Sequence, residues 1–488
     1  MARIAVVHYI GATARSRSVV ASLLADLVDE GHKVELLDIS RFSVISQDLP
    51  RNLVARILGH KVFDNKFEET LAGLGVRHVL IGPASTAKPA ATPELGMDAR
   101  QAIDSELLTY FRRPSLIPET GAISAMRKNL TSMALATYSA LSGEFDKSPP
   151  DLVLIPNGRT SRQKVARIVA DERKIPVNFY ENGRASKDSY YRGTTQPHDR
   201  VASQREVEPL VAHLSEKEIH RLARDWLDER MSPSSGTNTF SSLWAPEHTK
   251  KNQTPPAETK SAIFFTSSAD EFLAFGPMWD IDEWESQFHA FDLVMGQLAS
   301  EGVMLRLRIH PNLTGKSRKY FKDTIKNVLE LGARHPGLRI DWPNSQENSY
   351  DLAAEADYVI AERSTIGLEA NLMGKPVWVN QASQWDLVAD VRQFLKPADV
   401  SKEALSPWTV DIRGAEKFVA YWMIQEKPLR FTWRDWSTWN PEKAPTRMKL
   451  ALLSVKNPWS HRWHLLLSEW HRWLNSRFRK PKGWLDNK

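Results

Sequence analysis

The chain of 488 residues contains no cysteine. This absence excludes a disulfide framework, a thiolate zinc site and a cysteine nucleophile. No stretch approaches the roughly 20 consecutive apolar residues that a membrane-spanning helix needs. The apolar run Ile4-Ala5-Val6-Val7 near the N-terminus is also too short for the core of a signal peptide. We therefore expect a cytoplasmic protein that is not integral to a membrane.

Most of the chain also lacks an excess of positive or negative charge, although the formal net charge of the whole chain is +6. Residues 446–488 hold ten Lys or Arg residues against two Asp or Glu, which leaves 55 basic and 57 acidic residues in the rest. The body is therefore almost neutral and the tail is basic. Because the body is almost neutral, we do not expect it to bind nucleic acid. A partner that is attracted by positive charge should bind the tail.

Short apolar strands alternate with helical patterns in two separate regions, which indicates two parallel sheets covered by helices. We assign residues 1–205 to a first Rossmann-like domain and residues 261–425 to a second. Residues 206–260 read as a polar helix and a linker, and residues 426–488 as a Trp-rich basic tail. The predicted fold class is therefore α/β, with two doubly wound domains facing a cleft. Ligands of such sheets bind beyond the carboxyl ends of the strands.

The strongest functional pattern lies in the second domain, where polar residues follow two predicted strands. Arg308 belongs to an alternating strand that ends at His310. The second strand runs through Glu362 into a Ser-Thr turn and a helix. The free N–H groups and the positive end of such a helix suit a phosphate. The carboxylate of Glu369, about one turn further on, can accept hydrogen bonds from ribose hydroxyls.

Together these motifs resemble the donor half of GT-B glycosyltransferases. The segments that carry the resemblance are His310-Pro311, Ser364-Thr365-Ile366-Gly367-Leu368-Glu369 and Met373-Gly374-Lys375-Pro376-Val377. They are most similar to capsule polysaccharide biosynthesis proteins, the group that includes the Kdo transferases of capsule assembly. The resemblance covers about residues 261–385 and is weaker over 150–200. It implies that His310 contacts the donor phosphate, that Ser364 and Thr365 cradle it, and that Glu369 holds the ribose.

Each motif also has an ordinary structural interpretation, because Ser-Thr before a helix is a common N-cap. Their joint order and spacing favour a site. Two Ser residues that follow the first strand of this domain should border it, although no G-x-G-x-x-G or Walker pattern is present. The predicted nucleotide-sugar-binding residues are Ser267, Ser268, Arg308, His310, Pro311, Asn312, Glu362, Ser364, Thr365, Gly367 and Glu369.

No metal site is predicted. Asp280-Ile281-Asp282 resembles the Asp-x-Asp of metal-dependent transferases. Such a triplet arises often by chance, and here it lies between Trp279 and Trp284 at a predicted helix start. No other spacing of carboxylates or histidines indicates a bound metal.

A second polar cluster belongs to the first domain and follows the predicted strand 176–180. Glu181 stands at the carboxyl end of this strand, and capsule-type transferases show a similar Glu-x-Gly segment followed by a polar loop. A Glu at this place could deprotonate an acceptor hydroxyl. His198 and Asp199 are the alternative catalytic candidates. The competing interpretation is an Asn-Gly turn followed by a solvated charged loop.

The basic tail has a strong helical pattern that begins with Asn457 as N-cap and Pro458 as first helical residue. Large apolar side chains recur on one face, with cations and polar residues on the other. The apolar residues are Trp459, Trp463, Leu466, Leu467, Trp470, Trp473, Leu474 and Phe478. This pattern predicts that residues 457–484 lie on an anionic membrane surface. A helix that packs on the protein body is the alternative.

These observations predict a metal-independent GT-B glycosyltransferase that needs no cofactor and uses a UDP- or CMP-sugar as donor substrate. Its expected partners are a nucleotide sugar, a growing capsular-type polysaccharide or lipid-linked glycan, and the inner face of the cytoplasmic membrane. One alternative is a UDP-sugar 2-epimerase-like enzyme, which shares the two-domain plan and the His-Pro feature. The other is a non-catalytic, membrane-docked assembly factor. The donor sugar, the base, the acceptor and the anomeric outcome stay open.

Overall fold

The computed structural model describes residues 1–8, 14–39, 60–81, 96–111, 119–184, 186, 188–232, 259–267, 279, 281–311, 313 and 318–431. These residues form two compact units. The first contains the described residues up to Pro197 and those from Glu426 to Phe431, and the second contains those from His198 to Gln425. Each unit has its own mainly parallel sheet, so the predicted α/β fold with two Rossmann-like domains is confirmed.

The described part of the first unit contains a seven-stranded sheet and five helices. The strands are β1 (Arg3–His8), β2 (Lys33–Asp38), β3 (Arg77–Leu80), β4 (Leu152–Pro156), β5 (Val177–Asn182), β6 (Ser189–Gly193) and β13 (Glu426–Pro428). The helices are α1 (Ala14–Asp29), α2 (His60–Gly73), α3 (Met97–Phe111), α4 (Gly121–Lys147) and α5 (Ser161–Glu172). The strand order is β13-β6-β5-β4-β1-β2-β3, and the strands from β5 to β3 are mutually parallel.

The central strands of the first unit are covered on both faces, because successive side chains of a strand point to opposite sides. Ile4 and Val6 of β1 belong to one apolar cluster with α1 and α2. Ala5 and Val7 belong to another with α4 and α5. This two-sided burial explains why β1 is a continuous apolar run rather than an alternating one.

The chain returns to the first unit after Gln425, where β13 pairs antiparallel with β6. The carboxylate of Glu426 accepts hydrogen bonds from the Ser189 hydroxyl and from the Arg184 N–H, at 2.5 Å each. Leu429 and Phe431 pack against the same apolar cluster as α1. The first residues of the predicted tail therefore belong to the fold of the first unit.

The second unit contains a fully parallel six-stranded sheet. Its strands are β7 (Ser261–Phe265), β8 (Met304–Arg308), β9 (Arg339–Asp341), β10 (Tyr358–Ala361), β11 (Val377–Val379) and β12 (Arg392–Gln393). The helices described in it are α6 (Arg200–Val211), α7 (Glu216–Met231), α8 (Gln287–Ser300), α9 (Arg318–Arg334), α10 (Ser349–Glu355), α11 (Thr365–Leu372) and α12 (Arg413–Gln425). The order β12-β11-β10-β7-β8-β9 is that of a dinucleotide-binding fold.

Helices α6 and α7 belong to the second unit, so the first unit ends before the predicted boundary at residue 205. Arg200 of α6 pairs with the buried carboxylate of Asp386 at 2.9 Å. Trp226 of α7 packs against Trp422 of α12 with ring centroids 6.0 Å apart. The remaining linker, residues 233–258, and the predicted tail helix lie outside the described residues. None of the described helices is long and apolar enough to span a membrane.

Helix α8 begins later than the predicted start near Asp282. Its N-cap is Ser286, whose hydroxyl accepts a hydrogen bond from the His289 N–H at 3.2 Å. Asp282 is instead paired with Arg363 at 3.3 Å, and both side chains are buried. A tertiary ion pair therefore replaces the helical conformation that the local pattern favours.

Candidate functional site

The second sheet reverses its strand order between β7 and β10. Open α/β sheets bind their ligands outside the carboxyl ends of the strands at such a point. Three segments leave the sheet there, namely Thr266-Ser267 after β7, Ile309-His310 after β8 and Glu362-Arg363-Ser364 after β10. The structure thus brings the two predicted motifs, which are distant in sequence, to the same edge of one sheet.

Glu362 connects two of these segments. It is 1% exposed, and one carboxylate oxygen accepts hydrogen bonds from the Ser267 N–H at 3.1 Å and from the Ser267 hydroxyl at 2.9 Å. Burial raises the pKa of the Glu362 carboxyl, and the charge of Arg363 and the bonds from Ser267 only partly offset this. Because the protein covers this carboxyl, we assign it to holding the loops together.

His310 lies at the end of β8 beside a small pocket. Its backbone N–H donates to the Thr266 hydroxyl at 2.8 Å, which ties the end of β8 to the segment after β7. The residue is half-buried, and Pro311 follows it directly. The predicted contacts Ser268 and Asn312 lie outside the described residues. The pocket is lined by Thr266, Ser267, Gln287, Ile309, His310, Leu313, Tyr320 and Thr324.

Ser364 is the N-cap of helix α11. Its backbone is extended, and its hydroxyl accepts a hydrogen bond from the Ile366 N–H at 3.4 Å. Thr365, the first helical residue, is exposed. The first turn of α11 contains no acidic residue, so nothing in that turn neutralises the positive end of the helix. This arrangement suits the binding of an anion.

Gly367 is explained by packing within the second unit. A Cβ atom at this position would lie 2.5 Å from the ring of Trp385, well inside van der Waals contact. Trp385 is itself buried at 1% exposure, so its ring has little room to move aside. The glycine therefore permits the close approach of α11 to Trp385. Its predicted part in nucleotide-sugar binding stays a prediction.

Glu369 lies one turn further along α11 and is 1% exposed. Its carboxylate pairs with the guanidinium of Arg230 from α7, which also donates to the Thr365 hydroxyl at 3.3 Å. Burial lowers the pKa of Arg230, but the charge of Glu369 and hydrogen bonds with Glu369 and Tyr350 outweigh it, so the pKa lies above its usual value. The sequence did not reveal Arg230, because 139 positions separate it from Glu369.

Arg308 supports a neighbouring loop. It is 2% exposed and donates to the backbone carbonyls of Trp342 at 2.9 Å and Ser345 at 3.3 Å. Burial lowers the pKa of Arg308, and the charge of Asp341 only partly opposes this. These contacts hold the segment after β9. The predicted contact of Arg308 with a nucleotide sugar stays a prediction.

Asp282, the described acidic residue of the Asp-x-Asp triplet, is engaged by Arg363 and by the Gln381 amide, at 3.3 Å each. Arg363 has a φ of +47°, a left-handed conformation that is uncommon for a residue with a Cβ. Its guanidinium also donates to the Trp279 carbonyl at 3.0 Å. Within the described ranges, no group of three or more His, Asp or Glu side chains could hold a metal ion.

In the first unit, Glu181 lies at the carboxyl end of β5 and is half-buried. Its Oε1 accepts a hydrogen bond at 3.0 Å from the amide of Asn157, which directly follows β4. The guanidinium of Arg15 donates to the Gly183 carbonyl at 3.2 Å. Burial lowers the pKa of Arg15, and the charge of Glu181 is among those that oppose this shift. The carboxylate is therefore positioned by a neighbouring strand end and lies in the field of a cation.

The two alternatives to Glu181 belong to the second unit. Asp199 is the N-cap of α6, and its carboxylate accepts a hydrogen bond from the Ala202 N–H at 2.8 Å. The carbonyl of His198 accepts one from the Trp279 indole at 2.9 Å. Capping explains why an aspartate stands at position 199. We therefore keep Glu181 as the preferred candidate for a general base.

His8, at the carboxyl end of β1, is a buried titratable group that the sequence patterns did not single out. It is 3% exposed, with Nδ1 2.8 Å from the Tyr180 hydroxyl and Nε2 3.4 Å from the Ser16 hydroxyl. Burial lowers the pKa of His8 from 6.5 to about 4, and the charge of Asp38 only partly opposes this. The ring is therefore neutral near neutral pH.

Acid should destabilise the protein through His8. The unfolded chain binds a proton near pH 6.5, whereas folded His8 resists protonation down to about pH 4. Neutral His8 therefore contributes fully to the free energy of unfolding above pH 6.5, and this contribution is lost as the pH falls from 6.5 to about 4. Because one unit of pKa difference corresponds to about 1.4 kcal/mol, the loss at pH 4 should approach about 3 kcal/mol.

The non-titrating variant His8→Gln checks this expectation. The free energy of unfolding, measured with urea, should fall less for the variant than for the wild type between about pH 7 and pH 4. His213→Gln, at an exposed position, should behave like the wild type. If the acid dependence of His8→Gln equals that of the wild type, another group is responsible.

No protein-family model matches the sequence, and no curated protein matches it. Among solved structures, the chain is similar to KpsC of Thermosulfurimonas dismutans, a β-Kdo 2,4-transferase, with 12% identity over 56% of this chain and 80% of that chain and a TM-score of 0.36. It is similar to UDP-GlcNAc 2-epimerase from Neisseria meningitidis, with 11% identity over 87% of this chain and 100% of that chain and a TM-score of 0.30.

A third similar structure is CalG4, the calicheamicin glycosyltransferase, with 14% identity over 94% of this chain and 100% of that chain and a TM-score of 0.26. At identities and TM-scores this low, none of these likenesses establishes what this chain binds or transforms.

Proposed function

We propose that the protein is a glycosyltransferase that takes a sugar from a nucleotide-activated donor and adds it to a growing surface polysaccharide or lipid-linked glycan. The observation that carries this proposal is the convergence of His310, the Ser364-capped helix α11 and Thr266-Ser267 at one edge of a parallel sheet. Such an edge of a doubly wound sheet is where nucleotides bind. Glu181, at the carboxyl edge of the other sheet, supplies a candidate base.

In this proposal His310 and the N-terminus of α11 hold the donor phosphates. Transfer breaks the bond between the anomeric carbon and the phosphate oxygen and forms a bond from that carbon to the acceptor oxygen. The imidazole N–H and the fixed helix dipole stabilise the negative charge that develops on the departing phosphate. The proton of the acceptor hydroxyl passes to Glu181. The proposal includes no metal, and assays with and without EDTA check this part.

We further propose that the protein works on the inner face of the cytoplasmic membrane. The Trp-rich apolar face and the cations of residues 457–484 suit an anionic lipid surface. The last described residues, Arg430 and Phe431, donate their backbone N–H groups to the Ser22 hydroxyl of α1 at 2.9 Å and 3.2 Å. The described start of the tail therefore lies on the unit that carries Glu181, which suits an acceptor presented on a lipid.

Two assays separate this function from its alternatives. UDP, CMP, GDP and CDP are first screened for a rise in Tm, because a ligand that binds the folded state stabilises it. Matching nucleotide sugars are then incubated with and without a glycan acceptor. Product that forms only with the acceptor supports the transferase. Nucleotide and epimerised sugar released without an acceptor would establish the epimerase alternative, and the absence of both stabilisation and turnover would favour an assembly factor.

We expect His310→Ala to weaken binding of the stabilising nucleotide about 10- to 100-fold without unfolding the protein. A hydrogen bond to a charged group is worth about 1.5–3 kcal/mol, and about 1.4 kcal/mol corresponds to a tenfold change in Kd. The backbone N–H that bonds Thr266 is retained in the variant, so β8 should keep its place. Isothermal titration, with the exposed His213→Ala as control, measures the change. Equal nucleotide affinities of His310→Ala and the wild type would show that the donor does not bind at this edge of the sheet.

A further inference from the structure

Arg230 places a positive charge beside the N-terminus of helix α11. Its side chain is 16% exposed. The guanidinium bonds Thr365 and Glu369, which stand one turn apart on the same face of α11. It also lies 5.1 Å from the centroid of the Trp226 ring and is hydrogen-bonded with Tyr350. The side chain is therefore held along the first turn of the helix by four different contacts.

Two positive groups of the protein meet at this place, the N-terminus of helix α11 and the guanidinium of Arg230. A helix N-terminus carries about half a positive charge, and the first turn of α11 contains no acidic residue. The guanidinium of Arg230 adds a full positive charge, against the single negative charge of Glu369. An anion at the helix N-terminus would be attracted by both positive groups. A phosphate there would meet both the N–H groups of the helix and the guanidinium.

The ion pair also changes what Glu369 can do. The motif resemblance assigns ribose binding to this residue. In the structure its carboxylate is 1% exposed and paired with Arg230, so it is not presented to the hydroxyls of a ligand. A guanidinium, by contrast, carries more N–H donors than Glu369, Thr365 and Tyr350 use. The exposed part of the pair belongs to Arg230.

We infer that Arg230 binds a phosphate of the nucleotide, and that Glu369 is a positioning residue that orients Arg230 instead of holding the ribose. The inference rests on the nucleotide binding proposed for the second unit and names a further residue of that site. If Arg230 binds only the phosphates, ligands with and without phosphate should differ in how much of their binding free energy depends on this residue.

The experiment compares ligands with and without phosphate. UDP, CMP, uridine, cytidine and pyrophosphate are titrated against the wild type, Arg230→Gln, Glu369→Gln and the double variant. Arg230→Gln should lower the affinity for the nucleotide and for pyrophosphate about 10- to 100-fold and change that for the matching nucleoside less than about twofold. Glu369→Gln should show a smaller loss with the same selectivity. The double variant should be no worse than Arg230→Gln, because Glu369 acts through Arg230.

The controls address folding and charge. Arg221→Gln removes an exposed arginine from the same helix, where it pairs with Asp225 at 2.9 Å, and should bind every ligand like the wild type. Arg230→Gln leaves the buried carboxylate of Glu369 without its partner, which destabilises a protein. The double variant replaces the ion pair by two neutral amides. Its affinities can still be compared with those of the wild type if the single variants do not fold.

Two results would overturn the inference. One is a Glu369→Gln protein that loses affinity for the nucleoside as strongly as for the nucleotide, because Glu369 would then contact the ribose. The other is a double variant that binds the nucleotide like the wild type. A wild-type protein that binds pyrophosphate through Arg230 but no nucleotide would instead support the anion site and refute the proposed function.

Discussion

The variant Glu181→Gln should bind the donor nucleotide like the wild type and lose about 10²- to 10⁴-fold of its transfer rate, which is the contribution of a typical general base. The amide oxygen of the new side chain can still accept the hydrogen bond that the Asn157 amide donates at 3.0 Å. The side chain at position 181 therefore keeps its position but can no longer accept the proton of the acceptor hydroxyl. The measurement is kcat with acceptor present, together with the nucleotide Kd of the same sample.

Two matched variants make this result specific. Glu172→Gln changes a carboxylate of α5 that accepts a hydrogen bond from the Tyr138 hydroxyl at 2.6 Å, and it should leave kcat unchanged. Asp199→Asn removes a charge but keeps a good N-cap for α6, so it should stay folded. If Asp199→Asn loses transfer and Glu181→Gln keeps it, the base is Asp199.

A protein truncated after Arg447 should lose its binding to anionic vesicles and keep its affinity for nucleotides. The truncation removes the Trp-rich basic segment but retains β13 and the packing of Leu429 and Phe431 on the first unit. Trp side chains favour the headgroup level of a bilayer, and each cation near an anionic surface adds about 1 kcal/mol. Salt should weaken binding of the full-length protein, because the Debye length is only about 8 Å at physiological ionic strength.

Cosedimentation with phosphatidylglycerol vesicles, with phosphatidylcholine vesicles as the uncharged control, measures this binding. A full-length variant with Trp470→Ser and Trp473→Ser keeps every cation and tests the apolar contribution separately. If the full-length protein ignores anionic vesicles at low salt, the membrane proposal is wrong. If the truncated protein aggregates or melts early, residues 448–488 cover apolar surface of the protein.

The sequence by itself determined the two parallel sheets and the edge at which the candidate donor residues lie. Strands buried on both faces must be apolar along their whole length, so runs such as β1 and β7 can be recognised from local composition. The positions of His310 and Ser364 also follow from local signals, since a proline after a strand and an N-cap before a helix act within a few residues. Strand β13 was not predicted, because its antiparallel pairing with β6 joins segments more than 200 residues apart. Strand β6 pairs with the adjacent β5, and the polar residues around it favoured a loop.

Only the tertiary structure decided which polar groups meet. It pairs Glu369 with Arg230 and places Asn157 on Glu181. It also explains Gly367 by the ring of Trp385, whereas the sequence motif placed this glycine among the nucleotide-sugar-binding residues. The physical reason is the same in each case. Hydrophobic periodicity specifies the face that an element buries, whereas the partner of a buried polar side chain is set by how distant elements pack, and no local pattern encodes that packing.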